Sequence, residues 1–168
     1  MNYLIGDIGN TNIKICKINS NFKIVKTYLF ETKNTRFEFK IKNKLKKISK
    51  KNVNKIVLFS SVVPQVYKKI YKIFKEKKFK TIEIKQLNLK KIMRFNVSNY
   101  RQLGSDRIAN AVGVSEKIKF NCIVVDFGTA TTFDVIKKPA IYDGGVIAPG
   151  IKLSIENLFS STALFPMF

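Results

Sequence analysis

The chain has 168 residues, of which 45% are hydrophobic, and this composition excludes a disordered polypeptide and allows one core or two small lobes. No apolar run approaches the roughly 18 residues that span a bilayer, and the two cysteines lie far apart, so we expect a soluble cytoplasmic protein without disulfides. The net charge is +21, but only Arg36, Arg94, Arg101 and Arg107 are arginines, so we interpret it as mainly solvated lysine and keep nucleic-acid binding as an alternative.

The hydrophobic pattern predicts alternating strands and helices. Ile13 and Ile15 alternate with polar residues in the predicted strand 12–18, and strand 55–61 is largely apolar. Apolar residues recur at helical spacing in a lysine-rich amphipathic helix over residues 39–51. In chain order we predict strands 2–6, 12–18 and 23–30, helix 39–51, strand 55–61, helix 64–76, strand 81–84, helix 103–119, strands 123–126, 131–136 and 141–147, and a helix over 153–159.

A weak internal repeat connects the two ends of the chain. A strand that ends in Asp, a small turn with Gly and Thr, and a second strand occur at residues 3–18 and again at 123–136. A duplicated α/β lobe produces such a repeat. We therefore predict two lobes, 1–118 and 119–168, joined directly through helix 103–119.

The distribution of aspartate and glycine marks candidate functional segments. All five aspartates and all eight glycines lie in the first ten residues or after residue 103. In a chain this poor in acidic residues, such grouping suggests carboxylate chemistry or unusual backbone geometry. Histidine is absent, which excludes Ser/His/Asp and Cys/His catalytic arrangements.

Two of the segments have the pattern of phosphate-binding turns. Asp7 ends a strand before the turn 9–11, whose backbone N–H groups can bind phosphate while Asp7 holds hydrated Mg²⁺ and Lys14 adds a positive charge. Residues 126–134 repeat this pattern with three hydroxyl side chains. Each segment alone could be a simple hairpin, but two in one short chain favour a nucleotide clamp.

Two further segments are candidates for binding the substrate that accepts a phosphoryl group and for close contact between the backbone and a ligand. In residues 100–107, Asp106 is a candidate general base for a substrate hydroxyl, and Arg107 is a candidate to orient an anionic substrate. A helix cap at Ser105 or Asp106 is the alternative. In residues 142–150 the glycines permit close backbone approach before a helix whose N-terminus can meet phosphate, and a plain hairpin followed by a helix is the alternative.

The four segments together resemble the type III pantothenate kinase family. The matching motifs are Asp7-x-Gly-Asn-Thr, Gly104-Ser-Asp-Arg, Asp126-Phe-Gly-Thr-Ala-Thr-Thr-Phe-Asp and Gly144-Gly-Val-Ile-Ala-Pro-Gly. The resemblance implies an α/β, actin/hexokinase-like (ribonuclease H-like) two-lobed fold. It also implies ATP-dependent phosphorylation of pantothenate to 4'-phosphopantothenate, the first step of coenzyme A biosynthesis.

The resemblance further implies roles for particular residues. It implies that ATP is bound by Asp7, Gly9, Asn10, Thr11, Asn12, Lys14 and Thr129, with Mg²⁺ held by Asp7 through the phosphates. It implies that Asp106 accepts the proton and that pantothenate contacts Tyr100, Gly104, Ser105, Asp106 and Arg107. It implies that Asp126 helps to hold a monovalent cation, K⁺ or NH₄⁺, and that the protein is a homodimer.

In one respect the chain differs from the family that it resembles. Family members continue for roughly another half-lobe beyond the position of Phe168, so we expect an incomplete second lobe that exposes Phe159, Leu164 and Phe165 for a partner to cover. Two other functions stay open: a non-catalytic transcription accessory protein on the same fold, and a basic nucleic-acid-binding protein. The presence of Asp7, Asp106 and Asp126 favours the kinase over the accessory protein.

Overall fold

The computed structural model describes residues 1–48 and 53–162. The helices and strands are, in chain order, β1 (Asn2–Ile8), β2 (Asn12–Ile18), β3 (Ile24–Glu31), α1 (Phe37–Ile48), β4 (Val53–Ser61), α2 (Pro64–Glu76), β5 (Lys80–Glu83), β6 (Arg94–Phe95), α3 (Ser105–Lys117), β7 (Cys122–Phe127), β8 (Ala130–Lys137), β9 (Ile141–Pro149) and α4 (Ile151–Ser161). Short 3-10 helices occupy Ile84–Gln86, Leu89–Lys91 and Tyr100–Gln102. No helix within the described ranges has the length and apolar character needed to cross a membrane.

The first of two compact units comprises Met1–Leu87 and Gly104–Asp106, and it is built on a five-stranded sheet in the order β3-β2-β1-β4-β5. The central strand β1 pairs antiparallel with β2 and parallel with β4. Helices α1 and α2 contribute to one hydrophobic core with the sheet, because Phe37, Ile41 and Leu45 of α1 recur every four residues and are buried. Pro64 begins α2, where its fixed φ and missing N–H are tolerated, as the sequence predicted.

The second unit comprises Asn88–Leu103 and the residues from Arg107 onward, and its sheet has the order β6-β9-β8-β7. Strands β7, β8 and β9 form an antiparallel meander, as β1, β2 and β3 do in the first unit. The predicted internal repeat is therefore present as two similar three-stranded meanders. The predicted lobe division at residue 118 stays a prediction.

Most predicted elements are confirmed, with shifted ends. Helix α1 begins at Phe37, two residues before its predicted start, because Phe37 rather than the exposed Phe39 supplies the first core contact. Its predicted end at residues 49–51 lies outside the described residues. Strand β6 was not predicted, since a two-residue strand has no periodicity of its own and depends on pairing with β9, where Arg94 is in register with Ile141.

One face of the second sheet is exposed and apolar. Ile123, Val125 and Phe127 alternate along β7 and are 63%, 42% and 67% exposed, and Phe133 is in register with Val125 on the neighbouring strand. Phe159 of α4 is 45% exposed, which confirms that part of the expectation. The predicted exposure of Leu164 and Phe165 concerns residues outside the described ranges.

A carboxylate on β9 connects three segments of the second unit. Asp143 accepts a hydrogen bond from the Nδ2 atom of Asn96 at 2.9 Å and pairs with the Nζ atom of Lys137 at 2.5 Å. These hydrogen bonds, first that from Lys137 and then that from Asn96, lower the pKa of Asp143. The ionised form of Asp143 therefore stabilises the folded protein.

We expect Asp143→Asn to have a lower thermal midpoint than the unsubstituted protein at pH 7. We expect this difference in midpoint to disappear in acid. A carboxylate whose folded pKa is lowered contributes stability above its unfolded pKa, about 3.9, and loses it as the pH falls through the folded value. Circular dichroism melts of both proteins between pH 2 and pH 7 test this. A difference in midpoint that stays the same across the whole range contradicts the assignment.

Candidate active site

Asp7 lies next to the end of the central strand β1, between residues of two neighbouring strands. It is in register with Lys14 on the antiparallel strand β2 and with Ser60 on the parallel strand β4. Directly opposed residues of an antiparallel pair have side chains within reach of each other. The structure thus brings together the predicted carboxylate and the predicted lysine. Beside them, the Oγ atom of Ser60 is buried and has no hydrogen-bond partner within the described part of the chain.

The turn between β1 and β2 is held by Thr32, which the sequence analysis did not predict. The Oγ1 atom of Thr32 donates to the carbonyl oxygen of Gly9 at 2.8 Å, and its backbone N–H donates to the carbonyl oxygen of Thr11 at 2.9 Å. The N–H of Gly9 donates to the carbonyl oxygen of Asn12 at 2.9 Å. These bonds fix the backbone of the turn in which the predicted phosphate-binding residues lie.

The corresponding turn between β7 and β8 packs against the residue that begins α4. The N–H of Gly150 donates to the carbonyl oxygen of Thr129 at 3.2 Å, and a Cβ atom on Gly150 would collide with the carbonyl oxygen of Gly128. The approach is between backbone atoms, which only glycine at this position permits. The segments 126–134 and 142–150 therefore form one compact cradle. In it the N-terminus of α4 meets the turn that has the pattern of a phosphate-binding turn.

Asp126 occupies the same place in β7 as Asp7 does in β1, one residue before the end of the strand. Its Oδ2 atom accepts a hydrogen bond from the Nδ2 atom of Asn110 on α3 at 2.9 Å. No group of three or more His, Cys, Asp or Glu side chains suited to a metal occurs in residues 1–48 and 53–162. A cation at either aspartate therefore needs phosphate, water or backbone oxygens as further ligands.

The residues at the start of α3 that are predicted to contact the substrate lie in different environments. Ser105 is buried, and its Oγ atom donates to the Oε1 atom of Glu83 at 2.6 Å. Its hydroxyl proton is therefore engaged within the first unit. The carboxylate of Asp106 lies against Gly104, where a Cβ atom would collide with its Oδ1 atom. Gly104 thus leaves the space that the side chain of Asp106 occupies.

Arg107 is buried rather than extended into solvent. Its guanidinium donates to the carboxylate of Asp134, which also accepts a hydrogen bond from the hydroxyl of Tyr142. The predicted contact of Arg107 with an anionic substrate stays a prediction. What the structure adds is the carboxylate that holds the guanidinium in place.

Tyr100 lies at a cavity of about 660 Å³ in the second unit. Its ring stacks on Phe95 with centroids 4.8 Å apart, and the Nζ atom of Lys90 lies 5.8 Å from the ring centroid. Arg94 and Arg101 also line the cavity. An aromatic floor with three cationic side chains suits a small ligand that carries a negative charge.

Several residues with clear roles in this geometry were missed at the sequence level. They are Thr32, Ser60, Glu83, Asn110 and Tyr142, and each meets its partner on another element of the fold. Spacing within a motif cannot reveal such partners. Asp134 did carry a signal, because it is one of only five aspartates, although the sequence did not suggest its partner.

The two meanders, each with an aspartate near the end of its first strand, define an actin/hexokinase-like fold. Solved structures agree on the fold. The ethanolamine utilization protein EutJ from Carboxydothermus hydrogenoformans aligns with a TM-score of 0.55 and 10% identity over 99% of this chain and 58% of that one. A reductive activator for a corrinoid, iron-sulfur protein aligns with a TM-score of 0.51 and 13% identity over 89% of this chain and 31% of that one.

The sequence comparisons identify the family within this fold. The family model for type III pantothenate kinase matches residues 3–168, so the chain belongs to that family. A type III pantothenate kinase of Pelagibacter ubique is 45% identical over 97% of this chain, and one of Sulfurihydrogenibium sp. is 37% identical over 95%. The chain spans 65% of the length of each of these two relatives.

Proposed function

We propose that this chain catalyses the ATP-dependent phosphorylation of pantothenate to 4'-phosphopantothenate. The observation that carries the proposal is the family match over residues 3–168, which includes all four motifs and the aspartates that three of them contain. The reaction is the first step of coenzyme A biosynthesis. The names of the relatives supply the substrate, and the geometry of the turns suits the nucleotide.

In this proposal the two turns bind the phosphates of ATP. Gly9 holds the first turn through its own N–H, Asn10 to Asn12 and Thr129 contribute backbone and side-chain donors, and Lys14 contributes positive charge beside Asp7. The glycine cradle at Gly150 supports the second turn, since a Cβ there would displace it. Mg²⁺ held by Asp7 would neutralise charge on the phosphates, and a monovalent cation, K⁺ or NH₄⁺, would lie at Asp126.

In the same proposal Asp106 orients the primary hydroxyl of pantothenate. The hydroxyl oxygen forms a bond to the γ-phosphorus of ATP as the bond from that phosphorus to the β–γ bridging oxygen breaks, and ADP leaves. The hydroxyl proton passes to the carboxylate of Asp106. Because phosphoryl transfer has a loose transition state, a well-positioned carboxylate suffices to orient the hydroxyl and accept its proton.

The cavity at Tyr100 is the proposed pantothenate subsite. Pantothenate carries a carboxylate, and Lys90, Arg94 and Arg101 give the cavity three positive charges to attract it. Gly104, Ser105 and Arg107 are the other proposed contacts. We further propose that the protein is a homodimer, as the family resemblance implies, and that it is located in the cytoplasm.

The experiment that tests the proposal is a coupled assay of ADP formation with and without pantothenate. The Pelagibacter relative is assayed in parallel to show that the conditions support the reaction. Pantothenate-dependent ADP formation by this chain, with 4'-phosphopantothenate detected by mass spectrometry, is the expected result. If the relative is active and this chain forms no product, the proposal is wrong for this chain.

The rival function, nucleic-acid binding through the lysine-rich surface, makes an opposite prediction about salt. We expect only weak binding of DNA and RNA that disappears near physiological salt, since the basic residues are almost all lysines. Fluorescence anisotropy across a salt series tests this. Submicromolar binding at physiological salt with a steep dependence on salt would favour the rival over the kinase.

A further inference from the structure

A buried polar cluster joins α3 to β8 and β9, and its members are Arg107, Asp134 and Tyr142; we call it the Arg107 cluster. The Nε and Nη2 atoms of Arg107 donate to the Oδ1 atom of Asp134 at 2.8 and 2.6 Å. The hydroxyl of Tyr142 donates to the same oxygen at 2.5 Å. The side chains of Arg107 and Asp134 are 9% and 1% exposed. One carboxylate oxygen therefore accepts three hydrogen bonds within the protein interior.

The backbone of β9 closes around this cluster. Gly145 is in register with Asp134, and a Cβ atom on it would lie 2.5 Å from the Nη2 atom of Arg107 and 2.8 Å from the Oδ1 atom of Asp134. Glycine is thus required for the guanidinium to occupy its place. Burial, and next the hydrogen bond to Asp134, raise the pKa of Tyr142, so its hydroxyl stays protonated to a higher pH than that of an exposed tyrosine.

Stability alone explains this arrangement poorly. Moving a carboxylate and a guanidinium out of water costs free energy that their attraction repays only when the remaining polar atoms are also bonded. The Oδ2 atom of Asp134 is buried and has no hydrogen-bond partner among the residues that the structure describes. A well-packed apolar pair would avoid that cost. The presence of the Arg107 cluster is therefore better explained by the geometry that it imposes on α3 than by stability.

We propose that Asp134 and Tyr142 are positioning residues for phosphoryl transfer, which hold the guanidinium of Arg107 and with it the first turn of α3, where Asp106 lies. Arg107 directly follows Asp106 in that turn. A displacement of the guanidinium would rotate the turn and move the carboxylate of Asp106. This inference rests on the proposed function, because that function makes Asp106 the proton acceptor.

The test compares Tyr142→Phe and Asp134→Asn with a control, Ser115→Ala. Ser115 is a buried residue of α3 whose hydroxyl donates to the carbonyl oxygen of Val112 at 2.9 Å, away from the cluster. For each protein, kcat, the KM values for ATP and pantothenate, and the thermal midpoint are measured. Since small displacements of a reacting group cost large factors, we expect kcat to fall about tenfold in Tyr142→Phe and about a hundredfold in Asp134→Asn.

The KM for ATP is expected to stay unchanged in both variants, and Ser115→Ala is expected to keep full kcat whatever it loses in thermal midpoint. Tyr142→Phe keeps the ring and the Arg107–Asp134 pair, so it remains informative if Asp134→Asn does not fold. A lower midpoint with unchanged kcat in Tyr142→Phe would make the cluster a purely structural ion pair and overturn the inference. Absence of turnover by the unsubstituted protein would instead overturn the proposed function, and this inference with it.

Discussion

Asp106→Asn is expected to reduce pantothenate-dependent turnover by about a hundredfold or more, because the amide keeps the size of the carboxylate but cannot accept the hydroxyl proton. The affinity for ATP is expected to stay nearly unchanged, since the substitution leaves both phosphate turns intact. Asp106 lies in the first turn of α3, where loss of its charge costs only about 0.3–1 kcal/mol of stability through the helix dipole. Reduced turnover will therefore not be explained by unfolding.

The measurement combines steady-state ADP formation with calorimetric titration of ATP. The control is Glu116→Gln, which removes one negative charge from an exposed position near the other end of the same helix. It is expected to keep the turnover of the unsubstituted protein. If Asp106→Asn also keeps that turnover, Asp106 serves only to begin the helix, and another residue must receive the proton.

Gly150→Ala is expected to raise the KM for ATP about tenfold or more and to destabilise the second unit by about 1–3 kcal/mol, as overpacking does. The φ of Gly150 is −68°, which any residue adopts, so the effect is steric. The new methyl group would lie 2.5 Å from the carbonyl oxygen of Thr129 and would also collide with that of Gly128. Since backbone atoms cannot rotate away, the whole turn must shift.

Gly113→Ala is the matched control for this substitution. Gly113 lies within α3, and a Cβ atom there meets nothing within 4 Å. Alanine in a helix interior is expected to add about 0.5–1 kcal/mol of stability without changing the KM for ATP. Urea unfolding and ATP kinetics of both variants give the two readouts. An unchanged KM in Gly150→Ala would show that the turn at Gly128 and Thr129 does not bind the nucleotide.

Much of the fold could be predicted from local patterns in the sequence. Alternation of apolar residues predicted β2 because that strand buries one face, and the four-residue spacing of Ile41 and Leu45 predicted α1 for the same reason. The unequal distribution of aspartate predicted which strand ends carry chemistry. These signals are local, since each depends on residues within a few positions of one another.

The sequence by itself thus determined the order of most helices and strands, the internal repeat, the family resemblance and the candidate aspartates. Only the tertiary structure decided which distant groups meet: Arg107 with Asp134, Ser105 with Glu83, and Gly150 with the turn at Thr129. The physical reason is that side-chain periodicity reports burial within one element. Partners across 20 or more residues depend instead on strand order and register, which arise when all the elements pack together.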